Sequence, residues 1–236
     1  MSAPQLHRTQ ASILHSLRYA ESERFNALMH PTDQTSDTFK FHLRKLVKLG
    51  YVAKQENGMY QLTAVGKEYA NNINESHRSI EKQPKISVLV VAEKITTDGK
   101  KLYLVQKRSR NPYYGYWSEI HGRAEWGNPF EVTAQRQLKR QTGLDASFTV
   151  AGFRRVRDYN ETKEQLLEDK LFVVVKATDV TGELTNIYAG GMNAWMTLKE
   201  LRAQEKVFAT TVSIVGELAS GAFYTAQDLI YEKEDY

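Results

Sequence analysis

The sequence predicts an α+β protein of two domains, and three observations carry that expectation. Apolar residues recur at helical spacing through the first 73 or so positions. A polar stretch, residues 74–85, interrupts the pattern. From residue 86 onward, runs of β-branched residues mix with helical segments without strict βαβ alternation. The length of 236 residues suits two small domains. Hydrophobic residues at 41% and charged residues at 25% are the balance of a globular chain, not a disordered one. No run approaches the roughly 20 apolar residues of a membrane span, so no membrane partner is expected. The N-terminus lacks the basic-then-apolar pattern of a signal peptide, and a cytoplasmic location is expected. The absence of cysteine excludes disulfides, thiolate metal sites and a cysteine nucleophile.

Each element has its own signal. Ile13, Leu14 and Leu17 mark a first helix, and Phe25, Leu28 and Met29 a second. Pro31 and the polar run to Thr35 break the pattern, with Thr35 or Ser36 as the next N-cap. A third helix places Phe39, Leu43, Leu46 and Val47 on its inner face and ends at Gly50. Two short strands follow, joined at Glu56-Asn57-Gly58, a strong hairpin signal, and another helix runs from Val65 to Asn72. The domains are therefore expected at 7–73 and 86–236, with a linker at 74–85. In the second domain, Ile86–Ala92, Leu102–Gln106 and Phe172–Ala177 read as strands, Pro129–Thr142 as a helix, and the end from Thr197 as mainly helical.

The net charge of +4 is uneven. Through Lys82 there are 11 Lys/Arg against 8 Asp/Glu, and beyond it 21 against 20, so most of the excess lies in the first third. With Phe39, Leu43 and Leu46 inward, the third helix shows Lys40, Arg44 and Lys48 outward at i, i+4 and i+8, with Phe41, His42 and Lys45 beside them. Thr35, Ser36, Thr38 and Lys40 at its start would meet base edges or phosphates in a major groove, and Lys54 and Asn57 on the hairpin would reach the backbone nearby. His42 is expected at the surface or on a phosphate. Three helices and a hairpin, with Phe41-His42-Leu43, the exit Leu49-Gly50-Tyr51-Val52 and the later Leu62-Thr63-Ala64-Val65-Gly66, resemble the winged helix-turn-helix of ArsR/MarR-type regulators over about 65 residues. The resemblance implies double-stranded DNA as partner and a homodimer on paired half-sites. A solvated basic face used for protein contact, or for RNA, is the alternative.

In the second domain the informative stretch is Trp117–Leu144. It resembles the Nudix box, which runs Gly, five residues, Glu, seven residues, then Arg-Glu-apolar-x-Glu-Glu-x-Gly-apolar. Gly122 takes the first glycine, Arg136 the arginine, Leu138 the apolar site, and Gly143-Leu144 the exit. The resemblance covers roughly residues 86 to 218 and implies an α/β/α sandwich with a mixed sheet. The box carboxylates, which in the family hold Mg²⁺ or Mn²⁺, are replaced by Asn128, Gln137, Arg140 and Gln141. Mg²⁺ needs carboxylate or water oxygens, so neither metal nor other cofactor is expected and no residue is assigned as catalytic.

A cleft without metal can still bind an anion. Arg140 can pair with a phosphate, Arg108 and Arg123 can add charge, and Tyr116 stands among Tyr113, Tyr114 and Trp117 where a base can stack. Arg136 reads as structural and Trp195 as core. Together the halves predict a DNA-binding regulator whose degenerate Nudix-like domain senses a small phosphorylated nucleotide or sugar ligand. The alternative is a Nudix hydrolase with an appended winged helix, using Mg²⁺ and carboxylates outside the box, from Glu119, Glu125, Glu131 or a later loop carrying Glu161, Glu164, Glu168 and Asp169.

Overall fold

The computed structural model describes residues 6–32, 34–73, 83–234 and 236, in two compact units within Met1–Lys82 and Gln83–Tyr236. Residues 74–82 of the expected linker lie outside the described residues. No helix among the described residues is long and apolar enough to cross a membrane.

The first unit begins with α1, Arg8–Arg18. Its N-terminus is capped reciprocally: His7 Nδ1 accepts from the Thr9 amide at 3.2 Å, and the Gln10 side chain accepts from the His7 amide at 3.0 Å. Helix α2, Phe25–Met29, runs into a 3-10 turn at His30–Thr32, where Pro31 interrupts α-helical bonding. Helix α3 is Ser36–Lys48, capped by Thr35. Gly50, at φ +77°, releases the chain into strand β1, Val52–Lys54, which pairs antiparallel with β2, Tyr60–Leu62. Helix α4 is Ala64–Asn71. Ile13, Leu14, Leu17, Leu28, Phe39, Leu43 and Leu46 form one core with Val52, Leu62 and Tyr69. Val47 lies outside it, 38% exposed. At about 100° per residue, Phe39, His42, Leu43 and Leu46 already fill one arc of α3, and Val47 falls past its edge.

The second unit is a mixed sheet between helices. Its elements are β3 Lys85–Ile95, β4 Lys101–Arg108, β5 Trp117–Ser118, β6 Ile120–Arg123, α5 Phe130–Thr142, β7 Asp145–Asn160, β8 Leu166–Thr181, β9 Ile187–Tyr188, β10 Gly191–Met196, α6 Leu198–Arg202, α7 Ala209–Ala219 and β11 Tyr224–Tyr231. The strand order is β11-β7-β8-β3-β4-β10-β9, with β5 on β4 and β6 on β3. Pairs β3–β8 and β11–β7 are parallel, and the others antiparallel. Alternation splits the core into two layers. Val88, Val90, Ile120, Val173 and Val175 pack on Ala134 and Leu138 of α5. Leu89, Val91 and Val174 pack on Ile214 of α7. The expected α/β sandwich with a mixed sheet is the observed one.

Three features depart from expectation. The chain end carries β11 as well as helices; its residues alternate in exposure as an edge strand, a period interleaved with polar residues. The strand after the linker starts at Lys85, not Ile86. Glu168 and Asp169 lie inside β8, and only residues 161–165 connect it to β7.

Candidate functional site

Register brings alternate side chains of several strands to one sheet face. Lys85 of β3 sits opposite Lys170 of β8, Ser87 opposite Phe172 on one side and Arg123 of β6 on the other, and Leu89 opposite His121. Val156 of β7 is opposite Lys170. These residues line a cleft of about 570 Å³, bounded by Arg108–Tyr113, by Gln137 and Arg140 of α5, and by Phe208, Thr210 and Thr211 at the start of α7.

The cleft is cationic. Lys85 pairs with Glu168, Lys170 with Asp158, and Arg136, just outside, with Glu125. The guanidinium groups of Arg108, Arg110, Arg123 and Arg140 pair with no carboxylate among the described residues. Arg108 is 9% exposed. Its Nε and Nη2 donate to the Pro112 carbonyl at 3.2 and 2.9 Å, and its Nη1 meets His121 Nε2 at 3.1 Å. His121 Nδ1 lies 3.2 Å from the Glu119 carbonyl, which can only accept, so Nδ1 carries the proton and Nε2 accepts from Arg108. Burial, then the Arg108 charge, push the His121 imidazole down to about 4, so it is neutral beside a fixed cation. Among the described residues, two of the five Arg108 donors have no hydrogen-bond partner. Burial also pushes the Glu119 carboxyl up; its Oε2 accepts from Thr211 Oγ1 at 2.7 Å. Burial and the Asp158 carboxylate raise the Tyr113 hydroxyl, which donates to Asp158.

The box positions have become a hydrogen-bonded cluster. Gln137 Oε1 accepts from Arg140 Nη2 at 2.6 Å and from Gln141 Nε2 at 3.0 Å, and Gln141 Nε2 also reaches the His121 carbonyl at 3.0 Å. Gly122 lets Gln137 lie flat against β6, since a Cβ there would be 2.2 Å from Gln137 Cδ. Asn128 Nδ2 donates to Glu125 Oε2 at 2.8 Å, and Arg136 donates to the same atom. Gly143, at φ +75°, ends α5. This donor set does not fit Mg²⁺. The one oxygen of Gln137 is already shared by two donors, Gln141 donates, and Arg140 brings positive charge to the helix face. Among the described residues no group of three or more His, Asp or Glu side chains is placed to hold an ion.

Arg108, Arg123 and Arg140 are thus brought together, while Tyr116 is not part of the lining. Its ring packs on Phe208 at 4.8 Å between centroids, with Lys206 over it. Trp117 is buried and Tyr114 is 62% exposed. Arg110, Lys85, Lys170, Phe172 and Phe208 escaped sequence reading. Only Arg110, two residues beyond Arg108, carried a local signal; Lys85, Lys170 and Phe172 depend on strand register, and Phe208 on where α7 packs.

In the first unit, Thr35, Ser36, Thr38, Lys40, Phe41, Arg44, Lys45 and Lys48 of α3 and its cap are exposed, as are Lys54 and Asn57 of the hairpin. The four α3 cations pair with no carboxylate among the described residues. Thr35 Oγ1 bonds Thr38 Oγ1 at 2.9 Å. His42 departs from expectation. It is 8% exposed and stacked on His7, ring centroids 4.3 Å apart and planes 13° from parallel. Its burial places it in the core and not at the surface, and burial, then the charges of His7 and Lys45, lower its pKa.

A mixed sheet sandwiched by helices, with a cleft beside a Gly-to-Gly box helix, defines the class to which the second unit belongs. The model of the NUDIX domain family matches residues 83–213, more than half of the chain, and the chain belongs to the Nudix family. Similar solved structures include the NUDIX domain of Shewanella oneidensis NrtR complexed with ADP ribose, 18% identical, covering 67% of this chain and 97% of that one at a TM-score of 0.50. The MutT protein of Bacillus halodurans is 17% identical, covering 64% and 93% at 0.49. The MutT protein of Methanosarcina mazei Go1 is 19% identical, covering 60% and 97% at 0.46. At 18% identity the likeness to the NrtR domain is one of fold. No curated protein matches the chain.

Proposed function

We infer that this chain is a DNA-binding transcriptional regulator whose Nudix unit senses a phosphorylated nucleotide or sugar nucleotide without a divalent ion. The observation that carries this reading is the cleft's set of guanidinium groups lacking carboxylate partners, one of them rising from the box helix where relatives gather acid groups. A guanidinium meets phosphate bidentately and does so with no metal. Supporting the DNA half, α1, α2, α3 and the β1–β2 hairpin follow the order of a winged helix-turn-helix, and α3 presents Lys40, Arg44, Lys45 and Lys48 together. The regulator works as a homodimer on paired half-sites. Its ligand shifts DNA affinity by binding the DNA-competent and incompetent states unequally.

A thermal-shift screen of nucleotides and nucleotide sugars, beginning with ADP-ribose, tests the sensor. A ligand that raises the melting temperature equally with and without Mg²⁺ supports it. The hydrolase reading rests on family membership and on the three carboxylates of the cleft lining, Glu119, Glu125 and Glu168. It requires Mg²⁺-dependent turnover, and such turnover would overturn the sensor. For DNA, gel retardation is expected to weaken roughly 10²- to 10³-fold per copy between 50 and 200 mM salt if about five phosphates are neutralised. The pair Lys40→Ala, Arg44→Ala is expected to abolish retardation while leaving the melting temperature in place. Unchanged affinity would show that α3 is not the recognition helix.

A further inference from the structure

Strand β11, Tyr224–Tyr231, ends the large sheet, and among the described residues its strand partner is β7 alone. That pairing fixes where its backbone groups point. The Phe153 amide of β7 donates to the Phe223 carbonyl at 2.7 Å, and the parallel ladder runs without a register shift to Tyr231 opposite Asn160. Thr225, Gln227, Leu229 and Tyr231 therefore turn their amides and carbonyls to β7, while Tyr224, Ala226, Asp228 and Ile230 turn theirs to the open edge. The side chains of these last four are exposed, Tyr224 at 57% and Ile230 at 58%. The other face is occupied. Thr225 Oγ1 and Gln227 Nε2 donate to Glu217 of α7 at 3.0 and 3.3 Å, and Leu229 and Tyr231 line the cleft.

An exposed edge is ordinarily guarded by lysine, proline, a bulge or brevity. At the far side of the sheet, β9 is 2 residues long. Strand β11 is 8 residues long and holds neither lysine nor proline, and its one charge, Asp228, is met within the chain by Arg157 at 2.8 Å and Lys163 at 3.7 Å. What fits this edge is a second copy of it, run antiparallel about a two-fold axis. Bonds are exchanged only where outward residues face outward residues, which restricts the register. Centring on Asp228 sets two carboxylates against each other, and centring on Ala226 leaves Ile230 without a partner. Centring on Gln227 gives every outward residue a partner: Tyr224 faces Ile230 of the second copy, and Ala226 faces its Asp228. Apolar then meets apolar, and no like charges meet.

We propose that β11 is the interface of a homodimer, pairing antiparallel with β11 of a second copy in the register centred on Gln227 and joining the two sheets into one. This rests on the homodimer of the regulator reading and names the surface that forms it. Through Leu229 and Tyr231, the interface strand is also a wall of the cleft.

The test is sedimentation velocity of the full chain over about 1 to 100 μM, where a monomer–dimer equilibrium is expected. Ala226→Pro removes an amide from the open edge and spares the bonds to β7, so it is expected to keep the far-ultraviolet circular dichroism and to sediment as a monomer. A second pair of variants reads the register in a chain that has no cysteine of its own. Gln227→Cys faces itself across the axis in a non-hydrogen-bonded pair, at about 4.5 Å between Cα atoms, and should form a disulfide-linked dimer with oxidised glutathione. Tyr224→Cys lies far from its own copy and should not. A wild type that stays monomeric throughout would overturn both this interface and the homodimer reading. A dimer that survives Ala226→Pro, or that leaves Gln227→Cys no better linked than Tyr224→Cys, would overturn the β11 interface and leave the homodimer standing. Should the proline variant not fold, the cysteine pair decides by itself.

Discussion

Gly122 and Gln137 occupy one space, and the absence of a Cβ on the first is what allows the second to lie against β6. Gly122→Ala is therefore expected to displace Gln137 and, with it, Arg140. We expect a loss of about 1–3 kcal/mol in stability, measured by urea unfolding, and weaker binding of any phosphate ligand. His121 makes a second prediction. Its pKa is lowered in the fold from the ordinary 6.5 to about 4, so the unfolded chain binds the extra proton. Stability from this residue is present above pH 6.5 and is lost as pH falls towards 4, by on the order of 3 kcal/mol. His42, lowered by burial and then by the charges of His7 and Lys45, adds a loss of the same sign below pH 6.5 in the first unit. Melting temperatures between pH 7.5 and 4.5 should fall on acidification, and His42→Leu should flatten the part of that fall belonging to the first unit. A profile in which stability rises on acidification would contradict both assignments.

At the level of elements, Thr63 joins three of them. Its hydroxyl donates to the Gly50 carbonyl at 2.6 Å, accepts from the Gly66 amide at 3.0 Å and so caps α4 where β2 ends. Thr63→Ala is expected to destabilise the first unit by about 1–2 kcal/mol, read as a lower melting temperature, with the exposed face of α3 unaltered. In the second unit, Arg154 has the same joining role in a costlier setting. It is fully buried on β7, donating to the Thr210 carbonyl and to Glu217 of α7. Arg154→Leu would leave Glu217 without its cation, and a loss of about 3–5 kcal/mol is expected, with α7 loosened over the cleft. Hydrogen exchange confined to α7 and its strand contacts would check where the loss falls.

For the whole molecule, the regulator reading makes a prediction that concerns neither site alone. If a cleft ligand changes DNA affinity by some factor, DNA must change the affinity for that ligand by the same factor. Titrating the ligand against the free chain and against the chain saturated with its DNA site measures both sides. Unequal factors would mean that the two measurements do not describe one coupled equilibrium. A ligand that binds with no change in DNA affinity would sever the sensor from the DNA-binding unit.

The sequence by itself determined where each unit's core lies and what chemistry the box helix has lost. Helical spacing at Ile13, Leu14, Leu17, Phe39, Leu43 and Leu46 foretold one core, and the apolar run Val88–Ala92 foretold the centre of the other. These are local periodicities, set by backbone geometry that any chain shares. Amides and an arginine at Gln137, Arg140 and Gln141 were equally legible, because residue identity needs no fold. Tertiary structure alone decided the membership of the cleft. Lys85 comes from β3, Lys170 and Phe172 from β8, and Phe208 from the N-cap of α7; the strand residues converge through register, which depends on pairings between residues far apart in sequence, and Phe208 through the packing of α7 on the sheet. It also decided that His42 turns inward onto His7, the N-cap of a helix thirty-odd residues earlier, since burial is set by what packs above a helix face and not by the helix alone.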